Sequence, residues 1–141
     1  ALLLAQSVRA VGFKPGIFDV NAERVSTSQA VQRIKETETR LLCFVVYGQN
    51  PNSGTVNMSG ATALAKAIKE EGITTPICFV GSHVSALPFD VLKNESCVDL
   101  VLCNEGVYAL RNLLKTDIDD TEGLAQIKGI VILILINKIM V

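Results

Sequence analysis

Three short apolar segments of the chain are each followed by a polar turn that contains glycine and then by a stretch with helical spacing. They lie at residues 41–47, 77–80 and 98–103. Apart from Asp99, these segments are apolar at consecutive positions rather than at every second position, which is typical of parallel strands that helices cover on both faces. The pattern therefore predicts an α/β protein with three layers, in which a parallel sheet lies between two layers of helices.

The polar turns that follow the three segments lie at residues 48–54, 81–83 and 104–106. Parallel strands have their carboxyl ends at one edge of a sheet, and open α/β sheets bind ligands at that edge. We therefore expect the three turns to converge there. The first connection extends to about residue 57, which makes it longer than the usual βα loop of about 2–6 residues. Long loops at this edge are more often functional than not.

Helical spacing elsewhere in the chain predicts the covering helices. The first helix ends at Gly12, a residue that readily adopts the left-handed conformation of a helix stop. Ser26, followed three residues later by Gln29, has the spacing of a capping box and predicts a helix to about residue 38. Further helices are predicted around residues 61–71, 88–93 and 107–114, and a short strand at residues 16–20.

The chain opens on a helix, whereas a flavodoxin-like (Rossmann-like) sheet begins with a central strand. In the strand order 2-1-3-4-5, the absence of that strand leaves a gap between the predicted strands 16–20 and 41–47. The β-branched segment at residues 130–136 predicts one further strand, which either fills this gap or lies at the far edge beyond residues 98–103. Chain order favours the edge position.

Composition restricts the classes of function. Hydrophobic residues make up 49% and charged residues 19% of the 141 residues, which indicates a single folded domain with a core. The formal net charge is -1 and the 13 basic residues are scattered, so nucleic acid is not an expected partner. The longest apolar stretch is far shorter than the roughly 20 residues of a membrane span. A cytoplasmic location is the resulting expectation.

The four cysteines, Cys43, Cys78, Cys97 and Cys103, match no zinc-binding or redox spacing. We interpret them as small apolar residues in a reducing compartment, with Cys97, in a predicted loop, the most accessible. The pattern as a whole predicts an α/β domain at residues 1–116, an acidic linker at residues 117–126 and a C-terminal strand at residues 127–141.

Two segments resemble the cobalamin-binding domain of B12-dependent radical SAM proteins. Residues 80–88, Val-Gly-Ser-His-Val-Ser-Ala-Leu-Pro, resemble the family's Gly-Gly-x-His-like turn with Leu-Pro after it. Residues 98–106, Val-Asp-Leu-Val-Leu-Cys-Asn-Glu-Gly, resemble a strand that ends in an Arg-Gly-Glu-Gly-Glu-like turn. The resemblance extends from residue 1 to about residue 114, and residues 127–130 resemble the segment that connects this domain to the next.

The chain also departs from the family's pattern. Ser82 stands where the second glycine of the pair is usual, and Val107 stands at the second glutamate of the acidic turn. The first strand is missing, and with it the loop that carries an Asp-x-His-x-x-Gly motif in related domains. The resemblance thus implies a fragment without the first strand and without the radical SAM barrel. An iron–sulfur cluster and SAM are expected only in that missing domain.

The resemblance implies that the cofactor is cobalamin and that its nucleotide tail descends among the three turns. No catalytic residue and no metal ligand is assigned. The cofactor-binding candidates are Gly48, Gln49, Asn50, Ser53, Gly81, Ser82, His83, Asn104, Glu105 and Gly106.

Taken without the resemblance, these residues leave alternatives open. Gly81 and Ser82 either let a ligand approach the backbone closely or simply form a tight turn. His83 contacts the cofactor, ligates cobalt, acts as an acid or base near neutral pH, or is merely solvated. Glu105 either accepts hydrogen bonds from a ligand or complements the N-terminus of a helix.

The first hypothesis is therefore a cobalamin-binding module, the N-terminal part of a B12-dependent radical SAM enzyme of a methyltransferase-like kind, and not catalytic alone. Its partners would be the small-molecule cofactor and a radical SAM barrel domain, normally in the same chain. The alternatives are a flavin- or nucleotide-binding flavodoxin-like module and a fragment that binds nothing.

Overall fold

The computed structural model describes residues 1–47 and 51–132, and for residues 51–54 it describes the backbone alone. Within these residues the helices and strands include those that the hydrophobic pattern predicts, except the strand at residues 16–20, and α4 and α7 are present in addition. The helices are α1 (Leu2–Arg9), α2 (Thr27–Lys35), α3 (Pro51–Glu70), α4 (Ser82–Ala86), α5 (Pro88–Asn94), α6 (Val107–Lys115) and α7 (Thr121–Ala125). The strands are β1 (Leu42–Val45), β2 (Ile77–Val80), β3 (Leu100–Leu102) and β4 (Ile130–Ile132).

The four strands form one sheet in the order β1-β2-β3-β4. The first three are parallel, with Cys43 opposite Cys78 and Phe79 opposite Val101, whereas β4 is antiparallel to β3. The far-edge position that chain order favours for the last strand is thus confirmed. β4 runs antiparallel because the chain crosses back to the carboxyl edge of the sheet before β4 begins. The end of α6 lies beside Arg40, at the amino end of β1. Gly129, just before β4, is already at the carboxyl end of β3, where its carbonyl accepts from the Cys103 N–H (2.8 Å).

Helices cover both faces of the sheet, which confirms the three-layer α/β fold. Ile77 and Phe79 of β2 point to one face and Cys78 and Val80 to the other, and all four are fully buried. On the first face the core includes Val31 of α2, Ala65 and Ile68 of α3, Val84 of α4 and Val91 and Leu92 of α5. On the second face it includes Leu4 of α1, Leu110 and Leu113 of α6 and Leu124 of α7.

Helix termini agree with the sequence signals, with one exception. Gly12 has φ +88° after α1, and Ser26 and Gln29 form the predicted capping box at the start of α2. The prediction of a loop as far as residue 57 was wrong, because α3 already begins at Pro51. Proline is well suited to the first position of a helix, where its missing N–H has no helical partner and its φ is already helical.

The prediction of a strand at residues 16–20 was also wrong. These residues lie outside the sheet, and the side chain of Ile17 is 49% exposed. Asp19 instead starts a turn, in which its carboxylate accepts from the N–H of Ala22 (2.9 Å). A strand needs a ladder partner for its backbone groups, and in the described part of the chain β1 has β2 as its one neighbour.

Two smaller expectations concern the C-terminal half. Residues 117–126 contain α7, whose N-terminus is capped by Asp120, so this stretch is partly helical. The expectation that Cys97 is the most accessible cysteine was wrong, since Cys97 is 2% exposed, whereas Cys43 and Cys103 are half-buried. Cys97 follows α5 and packs into the core between the sheet and α3, where its thiol lies near the carbonyl of Thr62.

Candidate functional site

The carboxyl ends of β1, β2 and β3 meet at one edge of the sheet. Tyr47, two residues beyond β1, donates a hydrogen bond from its hydroxyl to the carbonyl of Asn104, in the turn after β3 (3.2 Å). His83, in the turn after β2, lies 3.0 Å from Thr55 Oγ1 of α3 through its Nδ1. The turns at residues 81–83 and 104–106 therefore converge as expected. Gly48, Gln49, Asn50 and the side chain of Ser53 lie outside the described residues.

A chain of hydrogen bonds ties this edge together; we call Asn57, Tyr47, Asn104 and Ser85 the edge network. Asn57 Nδ2 donates to the carbonyl of Tyr47 (3.1 Å), and the Asn104 N–H donates to Ser85 Oγ (2.8 Å). With the Tyr47–Asn104 bond, the network connects β1, α3, α4 and the turn after β3. The sequence reasoning did not include Asn57, Tyr47 or Ser85 among the candidates, although a tyrosine with a polar tip at a strand end was a usable signal.

Position 81 requires glycine because the neighbouring strand leaves no room for a side chain. A Cβ built on Gly81 would lie 2.0 Å from the carbonyl oxygen of Val46. Strands β1 and β2 are held this close where they end, since the Val46 N–H donates to the carbonyl of Val80 (2.8 Å). Glycine at position 81 was interpreted either as room for a ligand or as part of a tight turn. The close approach of β1 explains the glycine as part of a tight turn, with no ligand needed.

The turn after β3 has a left-handed backbone at two of its three residues. Asn104 has φ +56° and Gly106 has φ +68°. Asparagine tolerates this region better than most side chains, and glycine adopts it freely. A Cβ at Gly106 would lie 2.9 Å from Val80 Cγ2 and 3.2 Å from Leu102 Cβ. The turn is thus compact, packed on the ends of β2 and β3, and it presents Glu105 as an exposed side chain between the two left-handed residues.

The electrostatic character of the edge is nearly neutral. The three turns contain one carboxylate, Glu105, and neither lysine nor arginine. Burial, and after it the charge of Glu105, raises the pKa of the Tyr47 hydroxyl above its ordinary value of 10.0, which extends the alkaline range over which this group remains a hydrogen-bond donor. In the part of the chain that the structure describes, no group of three or more His, Cys, Asp and Glu side chains is arranged to hold a metal ion.

Exposed apolar side chains are concentrated at the same edge. Of the eight large hydrophobic residues that are exposed in the described part of the chain, five come after the carboxyl end of β1, β2 or β3 in the sequence: Tyr47, Val56, Leu87, Phe89 and Tyr108. Together with the uncharged hydrogen-bonding groups of the edge network, they form a surface suited to a large ligand with an apolar body and peripheral amides. The cavity of about 470 Å³ near Lys35, Glu38 and Arg40 lies at the opposite edge, where β1 and β2 begin.

Comparison with known proteins identifies the family. The family model of the B12-binding domain matches residues 1–114, which is most of the chain. Among solved structures, the radical S-adenosylmethionine methyltransferase TsrM from Kitasatospora setae, determined with tryptophan and a SAM analogue, superposes with a TM-score of 0.67 at 15% sequence identity. The match covers 92% of this chain and 24% of that one. No curated protein sequence matches.

The match to TsrM supports the fold, and the family match decides between cobalamin and the flavin or nucleotide alternative. The neutral, partly apolar edge fits a corrin with amide substituents. No helix in the described residues has both the length and the apolar character to cross a bilayer. The chain belongs to the family of B12-binding domains and is a cobalamin-binding module.

Proposed function

We propose that this chain holds cobalamin against the carboxyl edge of its sheet. The observation that carries the proposal is the convergence of three strand ends beside a rim of exposed apolar side chains: Tyr47 bonds the Asn104 carbonyl, and Gly81 lies against Val46. The two parts of cobalamin bind in different ways. The corrin ring makes apolar contacts and hydrogen bonds through its amides, and the nucleotide tail packs closely against the protein backbone. The edge supplies apolar side chains, uncharged polar groups and turns with little side-chain bulk.

Each described candidate has a role in this proposal. The backbone around Gly81 and Ser82 borders the nucleotide tail. His83 is fixed by Thr55 through Nδ1, and its Nε2 faces the cofactor as a hydrogen-bonding group rather than as a cobalt ligand. Glu105, exposed at the tip of its turn, accepts hydrogen bonds from amide N–H groups of the corrin, and the turn from Asn104 to Gly106 gives it its position. Gly48, Gln49, Asn50 and the side chain of Ser53 stay candidates from the sequence, outside the described residues.

The parent protein that we propose is a B12-dependent radical SAM enzyme, with this chain as its N-terminal part. The likeness to a radical SAM methyltransferase, of which the chain spans about a quarter, supports this placement. When bound, cobalamin supplies cobalt-centred methyl-transfer or radical chemistry. The residues described here bind and orient the cofactor and exclude water from one of its sides, whereas a following barrel domain would hold an iron–sulfur cluster and SAM.

The test is retention of hydroxocobalamin. The protein is mixed with hydroxocobalamin and desalted, and the corrin absorbance that co-elutes is measured beside a denaturant unfolding curve. We expect the unaltered protein to retain the corrin and Ser82→Phe, which places a ring in the turn after β2, to lose it. Ser59→Phe on α3, at an exposed position where Ser82 is half-buried, is the control and should retain it.

Two results would contradict the proposal. A cooperatively folded protein that elutes without corrin absorbance removes the cobalamin function from this chain. Retention by Ser82→Phe equal to that of Ser59→Phe moves the site away from the turn after β2. A parallel titration with flavin mononucleotide, followed by its fluorescence, checks the flavin alternative, for which we expect no saturable binding.

A further inference from the structure

Asn104 is held by side chains from two other strand ends. Its N–H donates to Ser85 Oγ of α4 (2.8 Å), which follows β2, and its carbonyl accepts from the hydroxyl of Tyr47, which follows β1 (3.2 Å). Both backbone groups of one residue are therefore fixed from outside its own turn. We propose that Tyr47 and Ser85 are positioning residues, which set the turn from Asn104 to Gly106 before cobalamin binds; this rests on the proposed function.

The turn needs such support because of its backbone. Asn104 at φ +56° occupies a region that side chains other than glycine adopt only at a cost. Without its two outside hydrogen bonds, Asn104 would relax toward commoner conformations and change the direction of the chain at Glu105. A preformed turn binds a ligand more tightly, because the ordering cost has already been met in the folded protein.

The geometry favours positioning over direct contact with the cofactor. The Tyr47 hydroxyl has one proton to donate, and that proton is engaged with the Asn104 carbonyl. Ser85 is half-buried beneath the turn, and its Oγ accepts from Asn104. The ring of Tyr47 is 43% exposed and belongs to the apolar surface, whereas its hydroxyl is engaged with the Asn104 carbonyl. Tyr47→Phe keeps the ring and removes only the hydroxyl. The effect of the Tyr47 hydroxyl and of Ser85 on the cofactor therefore passes through the turn.

The experiment measures the turn without cofactor and the affinity with it. Amide hydrogen exchange at Asn104, Glu105 and Gly106 is recorded by NMR in the cofactor-free protein, and the hydroxocobalamin Kd by absorbance titration. We expect Ser85→Ala and Tyr47→Phe each to speed exchange in the turn and to weaken binding about three- to tenfold, the range expected for one lost hydrogen bond.

Conservative and combined variants separate positioning from general loosening. Ser85→Thr keeps the accepting oxygen and should restore both exchange protection and affinity. In the double variant the loss of affinity should be smaller than the product of the single losses, because both bonds act on one residue. The matched control is Ser59→Ala, which removes a serine bond to the Val56 carbonyl on α3 (3.0 Å) and should leave the turn and the Kd unchanged.

The outcomes distinguish this inference from the proposed function. Unchanged exchange at the turn in Ser85→Ala and Tyr47→Phe overturns the positioning role, whatever the affinity. Faster exchange with an unchanged Kd overturns its connection to cobalamin. If the unaltered protein does not bind hydroxocobalamin, the proposed function fails, and the connection to the cofactor fails with it, while the exchange data still decide how the turn is held.

Discussion

The two edges of the sheet are built from different chemistry. At the amino edge, Asp99 accepts from the backbone N–H of Ile77 (2.7 Å) and pairs with Lys69 (2.8 Å), and Lys35 pairs with Glu71 nearby (3.0 Å). At the carboxyl edge, glycines, hydroxyl groups and amides make the corresponding connections. Charged side chains therefore fix where the strands begin, and uncharged groups fix where they end.

This difference has a consequence for ligand choice. An edge with a cluster of lysine and arginine would attract any phosphate or nucleic acid, whereas the carboxyl edge carries no such charge in its turns. Recognition there has to rest on shape, apolar contact and hydrogen bonds. Cobalamin, a large cofactor whose corrin carries amides around an apolar ring, suits recognition of this kind, and the binding that we propose at the carboxyl edge does not involve the ion pairs of the amino edge.

The largest effect that we expect comes from Gly81→Ala. The new Cβ would overlap the carbonyl oxygen of Val46, a backbone atom that cannot move without separating β1 from β2. The free energy of unfolding should fall by about 4 kcal/mol, the range of severe overpacking. Denaturant unfolding followed by circular dichroism measures it.

Gly60→Ala is the control for Gly81→Ala. Gly60 lies in α3 with open space around its Cβ position, so alanine should stabilise the protein by about 0.5–1 kcal/mol through helix propensity. Equal stabilities of the two variants would mean that β1 and β2 do not approach one another at Gly81 as described.

Gly106→Ala should have the next largest effect. It combines left-handed strain at φ +68° with contacts to Val80 and Leu102, and we expect a loss of about 2 kcal/mol in the free energy of unfolding. Gly129→Ala, at φ +86° with its nearest atom 3.6 Å away, isolates the strain and should cost about 1 kcal/mol. If Gly106→Ala and Gly129→Ala lower the free energy of unfolding equally, the packing of the turn after β3 against β2 and β3 contributes nothing to the effect of Gly106→Ala.

The sequence predicted the central strands and the convergence of the turns after β2 and β3 at one edge of the sheet, because apolar runs and the turns after them are local signals. It also predicted the capping box of α2 and the glycine stop of α1. It did not predict the edge network, since Tyr47, Ser85 and Asn104 are far apart in sequence and meet only when the strand ends are side by side. Spacing along the chain carries no information about such contacts.

The errors have a related cause. A strand at residues 16–20 was predicted from local composition, but strands are stabilised by ladder partners, and none lies beside these residues in the described sheet. Cys97 was expected to be accessible because it precedes a strand, yet it packs beneath α3. The reason for glycine at position 81 was equally hidden, since the atom that excludes a side chain belongs to Val46 on another strand.

A substitution at the amino edge should affect stability but not binding. Asp99→Ala removes the acceptor of the Ile77 N–H and the partner of Lys69, and we expect a loss of about 1–2 kcal/mol in the free energy of unfolding. Retention of hydroxocobalamin should be unchanged. The control Glu71→Ala breaks an exposed pair with Lys35 and should change stability by less than about 0.5 kcal/mol. Loss of cobalamin in Asp99→Ala would show that the two edges are coupled.

The smallest effect concerns the ionisation of Tyr47 at the carboxyl edge. Burial first, and then the charge of Glu105, raises the pKa of this hydroxyl above the ordinary value of 10.0. Tyr47 ionises at a higher pH in the folded protein than in the unfolded chain. Its contribution to the free energy of unfolding is therefore complete below pH 10.0 and is lost as the pH rises through the raised pKa.

The absorbance of tyrosinate near 295 nm, taken as the difference between the unaltered protein and Tyr47→Phe, gives this titration directly. We expect its midpoint above pH 10.0, and we expect Glu105→Gln to lower it only part of the way, because burial remains as the larger cause. Glu122→Gln on α7, away from Tyr47, should leave it unchanged. A titration midpoint at the ordinary tyrosine pKa would mean that the Tyr47 hydroxyl is in water. The hydroxyl would then bond water rather than the Asn104 carbonyl, and the turn after β3 would lose one of its two outside hydrogen bonds.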